Sequence, residues 1–415
     1  MVQPADFIIF GLIAGIIVLG FGGELFFKRT GIPSFLFLIL VGIIVGPVLG
    51  VVSGQELIPV LGTIAELTLI MVIFYGGMDT SIESILGGSG RVLIQVLMYV
   101  IPSTLVIGFL TSYLFHWELI QALIFGSMIG GETTAAVVIP LSRSLKLGEK
   151  TTTFITLESV LNSIFSIVLF TAFLDTYQTG TPNIVGALTI IASKFSVGIV
   201  AGAILSLVWV YILHYFKDYK FTYVLTLGLL FATYSISFAL GGSGILSCLI
   251  FGIVLGSYKF LNKLFKKQIE IDRLQKQLGV FQGEIAFLLE TFFFVFLGLI
   301  FSISPERILS NLEDGALLRA ILLGFRTLAS TVSTRGSEIK SDRAKIILLN
   351  AQGLTPATLA ILAVNAGLPL GETFLNLVTY VIILTNIVTT VGAFWITRRR
   401  KSESEESVPL SAKNR

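Results

Sequence analysis

Of 415 residues, 54% are apolar and 13% charged, and the mean hydropathy is +0.92, far outside the usage of globular proteins. A soluble core cannot absorb that much apolar surface with so few charges, so soluble enzymes and nucleic-acid binders are excluded and a polytopic membrane protein is expected. The net charge of +3 comes from 28 basic and 25 acidic residues, the single Cys248 excludes an internal disulfide, and no Cys/His cluster has the spacing of a zinc site.

Apolar windows of about 19 residues predict an all-α chain of thirteen spans, near 6–26, 33–51, 57–77, 91–114, 118–140, 152–173, 184–215, 221–239, 241–257, 280–303, 316–334, 345–365 and 373–397. The first is a retained helix and not a signal peptide, because Lys28 and Arg29 follow the apolar run instead of preceding it. With the N-terminus outside, 24 of the 28 basic residues fall in alternate connections on one side, as the positive-inside rule requires for a cytoplasmic C-terminus and a multi-pass protein of the plasma membrane. Only Arg307 and Arg319 fall outside, and Lys194 and Arg326 fall within spans. The connection from Lys259 to Gln277 reads as an amphipathic surface helix. The tail over 398–415 is short, charged and rich in Ser and Glu, and is expected to be disordered. Six helices, a long connector over 184–215 and six more suggest inverted repeats near 6–173 and 221–397, with the fifth and twelfth helices as counterparts.

Charges near a bilayer midplane cost at least a few kcal/mol each, so Glu66, Glu132, Glu158, Lys194, Glu284, Glu290 and Arg326 form the functional shortlist; Glu24 and Asp79 lie at span ends. In the fifth span, Gly130 and Gly131 precede Glu132-Thr133-Thr134 and can leave helical geometry in mid-membrane. In the twelfth, Gly353 and Pro356 weaken the helix in the same way. Paired breaks in corresponding halves point to the binding site of a secondary transporter, against the simpler reading of glycines used for packing. On the sixth span, Glu158, Asn162 and Ser166 recur every four residues beside Ser159 and Ser163, giving one polar helix face. Arg326 cannot lose its proton and needs a carboxylate partner; Glu158 is the expected one, in an ion pair whose role is structural or functional. No nucleophile with a base and no Gly-rich phosphate loop appears, so neither enzymatic activity nor a cofactor is expected; Gly241-Gly-Ser-Gly lies between two spans as a tight turn.

Several stretches resemble the monovalent cation:proton antiporter superfamily, whose members exchange sodium or potassium for protons and include NhaP-type exchangers and Kef-type relatives. Ile64-Ala-Glu66-Leu to Phe74-Tyr-Gly-Gly-Met-Asp79 is similar to the family's Ala-Glu-Leu-Gly … Phe-x-x-Gly-Leu-Glu stretch. Glu158-Ser-Val-Leu-Asn162 matches its Glu-Ser-x-x-Asn, Phe296-Leu-Gly-Leu resembles its Phe-x-x-x-Gly-Leu, and Gln352-Gly-Leu-Thr-Pro-Ala357 resembles its Arg-Gly-Leu-x-Pro-Ala. Arg326 falls where such exchangers place an arginine that pairs with the equivalent of Glu158.

The resemblance implies two crossed broken helices, a core domain that moves against an oligomerisation domain in a homodimer, and one aspartate that binds either the cation or protons. That aspartate is missing. The sixth helix has Asn162-Ser163 where the family has Asn-Asp, and the fifth has Glu132-Thr133-Thr134 where it has Thr-Asp-Pro. A hydroxyl at Ser163 cannot exchange protons near neutral pH, so Glu132 is the expected substitute. Thr133, Asn162, Ser163 and backbone carbonyls would complete an oxygen shell for Na⁺ or K⁺. With Glu158 and Arg326 neutralising each other, exchange of one cation for one proton would be electroneutral. A cation channel or uniporter and a non-transporting sensor built on the same fold remain alternatives, and Lys194 has no assigned role.

Overall fold

A computed structural model describes residues 4–30, 32–50, 58–80, 82–180, 184–216, 219, 221–265, 272–301 and 305–406. Their regular elements are helical. In chain order these are α1 (Pro4–Thr30), α2 (Ser34–Ile43), α3 (Ile58–Met78), α4 (Ile82–Phe115), α5 (Leu119–Ile129), α6 (Ala135–Ser144), α7 (Glu149–Thr179) and α8 (Ile184–Phe216). There follow α9 (Thr222–Ala239), α10 (Gly244–Gly256), α11 (Tyr258–Phe265), α12 (Asp272–Ile300), α13 (Ile308–Ser333), α14 (Arg343–Leu348), α15 (Leu354–Asn365) and α16 (Gly371–Glu406). Among the described residues, nine helices are long and apolar enough to cross a membrane, and four shorter apolar ones, Ser34–Val48, Leu119–Ile129, Gly244–Gly256 and Leu354–Asn365, fall at the remaining expected spans. The chain is a multi-pass membrane protein, and its surface carries the apolar side chains expected of one, such as Phe10, Val18, Phe109 and Phe394.

The helices sort into two packed groups. In one, α4, α7, α13 and α16 pack around the two interrupted spans, α5–α6 and α14–α15, and α15 also packs on α3. In the other, α2 packs on α12, and α3 packs on α10 and α12. Close approach in both groups depends on glycine. A Cβ on Gly77 would lie 2.7 Å from the Leu249 carbonyl oxygen, and one on Gly108 would lie 2.7 Å from the Leu123 side chain.

Three expectations are corrected. Lys259–Gln277 is not one surface helix: α11 ends at Phe265, 266–271 lie outside the described residues, and Asp272 already begins the long helix α12. The tail is helical through Glu406 as a continuation of α16, while 407–415 lie outside the described residues. Arg319, expected outside, is a buried residue of α13 at 6% exposure. That helix begins at Ile308, with Glu313 and Asp314 in its early turns, where carboxylates are favoured by the helix dipole but depress an apolar window.

Candidate functional site

Both interrupted spans break where the backbone has lost its helical partners. After Ile129 the chain extends through Gly130 (ψ 107°) and turns at Gly131, whose φ of +73° is strained for any other residue. A Cβ there would also lie 2.5 Å from the Val100 Cα. On the other side, α14 stops at Leu348 and α15 restarts after Gly353. Gly353 lies so close to Thr134 that a Cβ would meet its side chain at 2.9 Å. Pro356 falls in the first turn of α15, where a missing N–H costs nothing.

The two breaks cross and hold each other. The Thr134 N–H donates to the Ala351 carbonyl at 2.7 Å, and the Gln352 side-chain amide donates to the Ile129 carbonyl at 2.6 Å. Gln352 thereby caps the C-terminal end of α5, one of the orphan carbonyls every helix end leaves. Asn386 donates to the Gln352 carbonyl at 2.6 Å, and Tyr99 donates to the Asn350 side-chain oxygen at 2.9 Å.

Arg326 does for α14 what Gln352 does for α5. Its guanidinium donates to the Ile346 carbonyl at 2.9 and 3.2 Å and to the Leu349 carbonyl at 3.0 Å, placing a positive charge at a helix C-terminus. It also donates to Glu158, and both side chains are fully buried. Gln95 ties this pair to its surroundings: its amide donates to Glu158 at 3.0 Å and to Ser330 at 3.2 Å, while its oxygen accepts from Ser333 at 2.8 Å.

Glu132 lies at the crossing, 1% exposed. The Gly353 backbone N–H and the hydroxyls of Thr355 and Ser163 face its carboxylate, and Thr355 donates to Ser163 at 3.1 Å. Asn162 donates its amide to the Thr133 hydroxyl at 3.1 Å. The Glu132 Oε2 and Asn162 Oδ1 atoms remain buried without a hydrogen-bond partner. Glu132, Thr133, Asn162 and Ser163 therefore lie together, joined by Thr355. Buried oxygens are seldom left unpaired. Two of them beside three hydroxyls make a site rich in acceptors, suited to a hard cation or a proton.

The other intramembrane charges are accounted for separately. Glu66 accepts a hydrogen bond from Tyr234, Lys194 pairs with Asp175 at 3.1 Å, Glu284 is exposed, and Glu290 lines a cavity with Glu24, Ser34 and Thr134. Thr355, Gln95 and Arg319 were missed by the sequence reading. Thr355 had a signal, since it follows Gly353 much as Thr133 follows Gly131, whereas nothing in the neutral Gln95 marked it as a partner of an ion pair on two other helices.

Residues 7–399 match the family described as "Sodium/hydrogen exchanger, transmembrane". The chain belongs to the sodium/hydrogen exchanger family. Among curated relatives of this chain, the K(+)/H(+) antiporter NhaP2 of Shewanella sp. strain MR-4 is 27% identical over 399 residues, covering 92% of the chain and 66% of the relative. The K(+)/H(+) antiporter NhaP of Alkalimonas amylolytica is 21% identical over 398 residues, covering 93% of the chain and 66% of the relative. The chain thus spans just under two thirds of the length of these relatives. In fold it matches the sodium proton antiporter MjNhaP1 from Methanocaldococcus jannaschii with a TM-score of 0.79 at 20% identity, covering 94% of this chain and 97% of that one. The crossed broken helices are those of the antiporter fold.

Proposed function

We propose that this exchanger moves Na⁺ or K⁺ across a membrane in exchange for H⁺ by alternating access, with Glu132 carrying the proton and the cation in turn. One observation carries the reading: at the crossing of two broken helices, a buried carboxylate has an unpaired oxygen and is ringed by hydroxyl and amide oxygens. The deprotonated carboxylate is compensated by the N-terminal end of α15, whose Gly353 N–H faces it. A cation would draw its ligands from Glu132, Thr133, Asn162, Ser163 and Thr355. Protonation removes the only negative charge in that set and so expels the cation, which makes occupancy mutually exclusive.

The Glu158–Arg326 pair is neutral as a unit, so a single carrier carboxylate supports one-for-one, electroneutral exchange. The names of the relatives are consistent with K⁺ or Na⁺ as substrate. No cofactor enters this cycle. The reading includes a homodimer whose α4–α7 and α13–α16 helices move against the rest, repeats near 6–173 and 221–397, and a plasma-membrane location with the N-terminus outside and the C-terminus cytoplasmic. In support of that sidedness, Arg91 donates to the Arg335 carbonyl and Lys150 pairs with Glu338, which gathers basic connections at one end of the molecule.

The test is reconstitution into liposomes with an internal pH dye and addition of each monovalent cation in turn. Saturable cation-driven proton flux is expected, and Glu132→Gln should abolish it. Unitary conductances would favour a channel, and absence of flux a sensor.

A further inference from the structure

Arg319 is buried in α13 at 6% exposure, and its Nε, Nη1 and Nη2 atoms all lack a hydrogen-bond partner. Among the described residues it has no ion pair either. A guanidinium keeps its proton at any physiological pH, and a buried charge left without a partner bears its full desolvation cost. Arg326 shows how the same helix settles such a charge. It lies two turns further on, on the same face of α13 and about 10 Å away, and it pairs with Glu158.

No carboxylate plays that part for Arg319. On its own helix, Glu313 is exposed and Asp314, five residues earlier, points from another face. The helices packed on α13 are α4, α14 and α16. Of these, α4 and α16 carry their acids only at their ends, and α14 has none. One neighbour does feel the Arg319 charge, the phenol of Tyr99 on α4. The Tyr99 ring lies 5.3 Å from the Arg326 guanidinium, and its hydroxyl donates to the Asn350 side-chain oxygen at 2.9 Å. The amide nitrogen of that Asn350 is buried without an acceptor.

Tyr99 thus links two elements, α13 and the break between α14 and α15, each of which brings an orphaned buried donor. This inverts the arrangement at Glu132, where the orphans are acceptors. Buried donors are seldom left unpaired. A water molecule would satisfy hydrogen bonds here and leave the charge unanswered, whereas a small anion answers both. Because a guanidinium is itself weakly hydrated and the surroundings are dry, the anions that fit are those that shed water readily.

We propose that the Arg319 guanidinium, beside Tyr99 and the Asn350 amide, holds one small monovalent inorganic anion of the chloride and bromide class. All three residues belong to the helix group that carries the crossing, so the anion is resident there and is not exchanged cargo. With it in place Arg319 is neutralised, as Arg326 is by Glu158, and Glu132 is left as the single uncompensated charge at the crossing. The site does not depend on the antiport reading: the anion is held whether or not Glu132 carries ions.

Two measurements on the full-length protein test it. In the first, detergent-purified protein is exchanged into sodium gluconate, and its melting temperature is followed as chloride or bromide replaces gluconate at constant Na⁺. A saturable rise is expected for wild type, reaching several degrees once the anion exceeds its Kd about a hundredfold. Arg319→Gln should lose that dependence and, in gluconate, melt no lower than wild type, because it removes a buried charge that nothing compensates. No anion-dependent rise in wild type, or the same rise in Arg319→Gln, overturns the proposal. So does a flux–pH profile displaced in Arg319→Gln with no anion dependence, which would make Arg319 a counter-charge of Glu132.

The second measurement needs no variant. In crystals of wild type grown in sodium bromide, anomalous diffraction at the bromine edge should show one bromide within hydrogen-bond distance of the Arg319 guanidinium. An ordered water at that place, with no anomalous signal, overturns the anion site. Bromide bound there in a protein without cation-driven flux would leave this site standing and sink the antiport reading alone.

Discussion

At the scale of single residues, the protein separates two kinds of buried charge. Arg326 and Glu158 satisfy each other, and Arg326 spends its remaining donors on the end of α14. Removing one partner of such a pair leaves an uncompensated buried charge, a loss of about 3–5 kcal/mol. Arg326→Gln should therefore sharply lower the yield of folded protein and the melting temperature in detergent. The double variant Arg326→Gln with Glu158→Gln should recover part of that loss, though not all, because the Ile346 and Leu349 carbonyls still lose their cap. Equal instability of the single and double variants would show that the pair itself contributes nothing.

Glu132 is the opposite case, a carboxylate with no basic residue among the groups that face it. Its neighbours are weak neutral ligands whose value appears only with an ion present. Thr355→Val keeps the shape and removes one oxygen, so the cation KM should rise roughly tenfold, the worth of one hydrogen-bond-like contact of about 1.5 kcal/mol. The melting temperature without cation should change little, which separates a ligand from a structural hydroxyl.

At the scale of elements, the interrupted spans persist because three of the opened helix ends, those of α5, α14 and α6, are capped by the other span or by a neighbour: Gln352 on Ile129, Arg326 on Ile346 and Leu349, Ala351 on Thr134. Gly131→Ala forces a side chain into a left-handed backbone and against Val100. It should destabilise the fold by about 1–3 kcal/mol, read as a lower melting temperature. Gly324→Ala, where a Cβ meets nothing within 4 Å, should be close to neutral and serves as the control.

Much of this level was legible in the sequence. Gly130 and Gly131 before Glu132 marked one break and Gly353 with Pro356 the other, because lipid tolerates a polar backbone only where protein or water can satisfy it. The stripe of Glu158, Asn162 and Ser166 required that this face of α7 meet protein or water, and all three are buried. What stayed hidden depended on pairing across distant helices. Gln95 is neutral and solitary in the sequence, yet it joins α4, α7 and α13. Arg319 lay beyond reach for another reason: the acids Glu313 and Asp314 masked the true start of α13, so a second buried guanidinium was placed at the outer edge of its span. Lys194 found its partner in Asp175 at the far end of α7, a contact that only the packing of α7 on α8 creates.

At the scale of the whole molecule, α12 and α2 face the tips of the interrupted spans across a cavity lined by Ser34, Thr134, Glu290 and Leu354. On the proposed cycle, with Glu132 as the single carrier, one positive charge moves in each direction. Its turnover should be insensitive to an imposed membrane potential, and a rate that climbs steeply with potential would contradict the one-for-one stoichiometry. Raising the proton concentration on the cation side should raise the apparent KM without lowering the maximal rate, since both ions compete for one carboxylate.

The most direct test concerns that carboxylate. Proton flux driven by Na⁺ and by K⁺ is compared in liposomes for wild type and Glu132→Gln, with equal amounts of folded protein verified for each. Saturable flux in the wild type and none in the variant is the predicted result; flux of equal rate in both would contradict the assignment of Glu132 as the carrier.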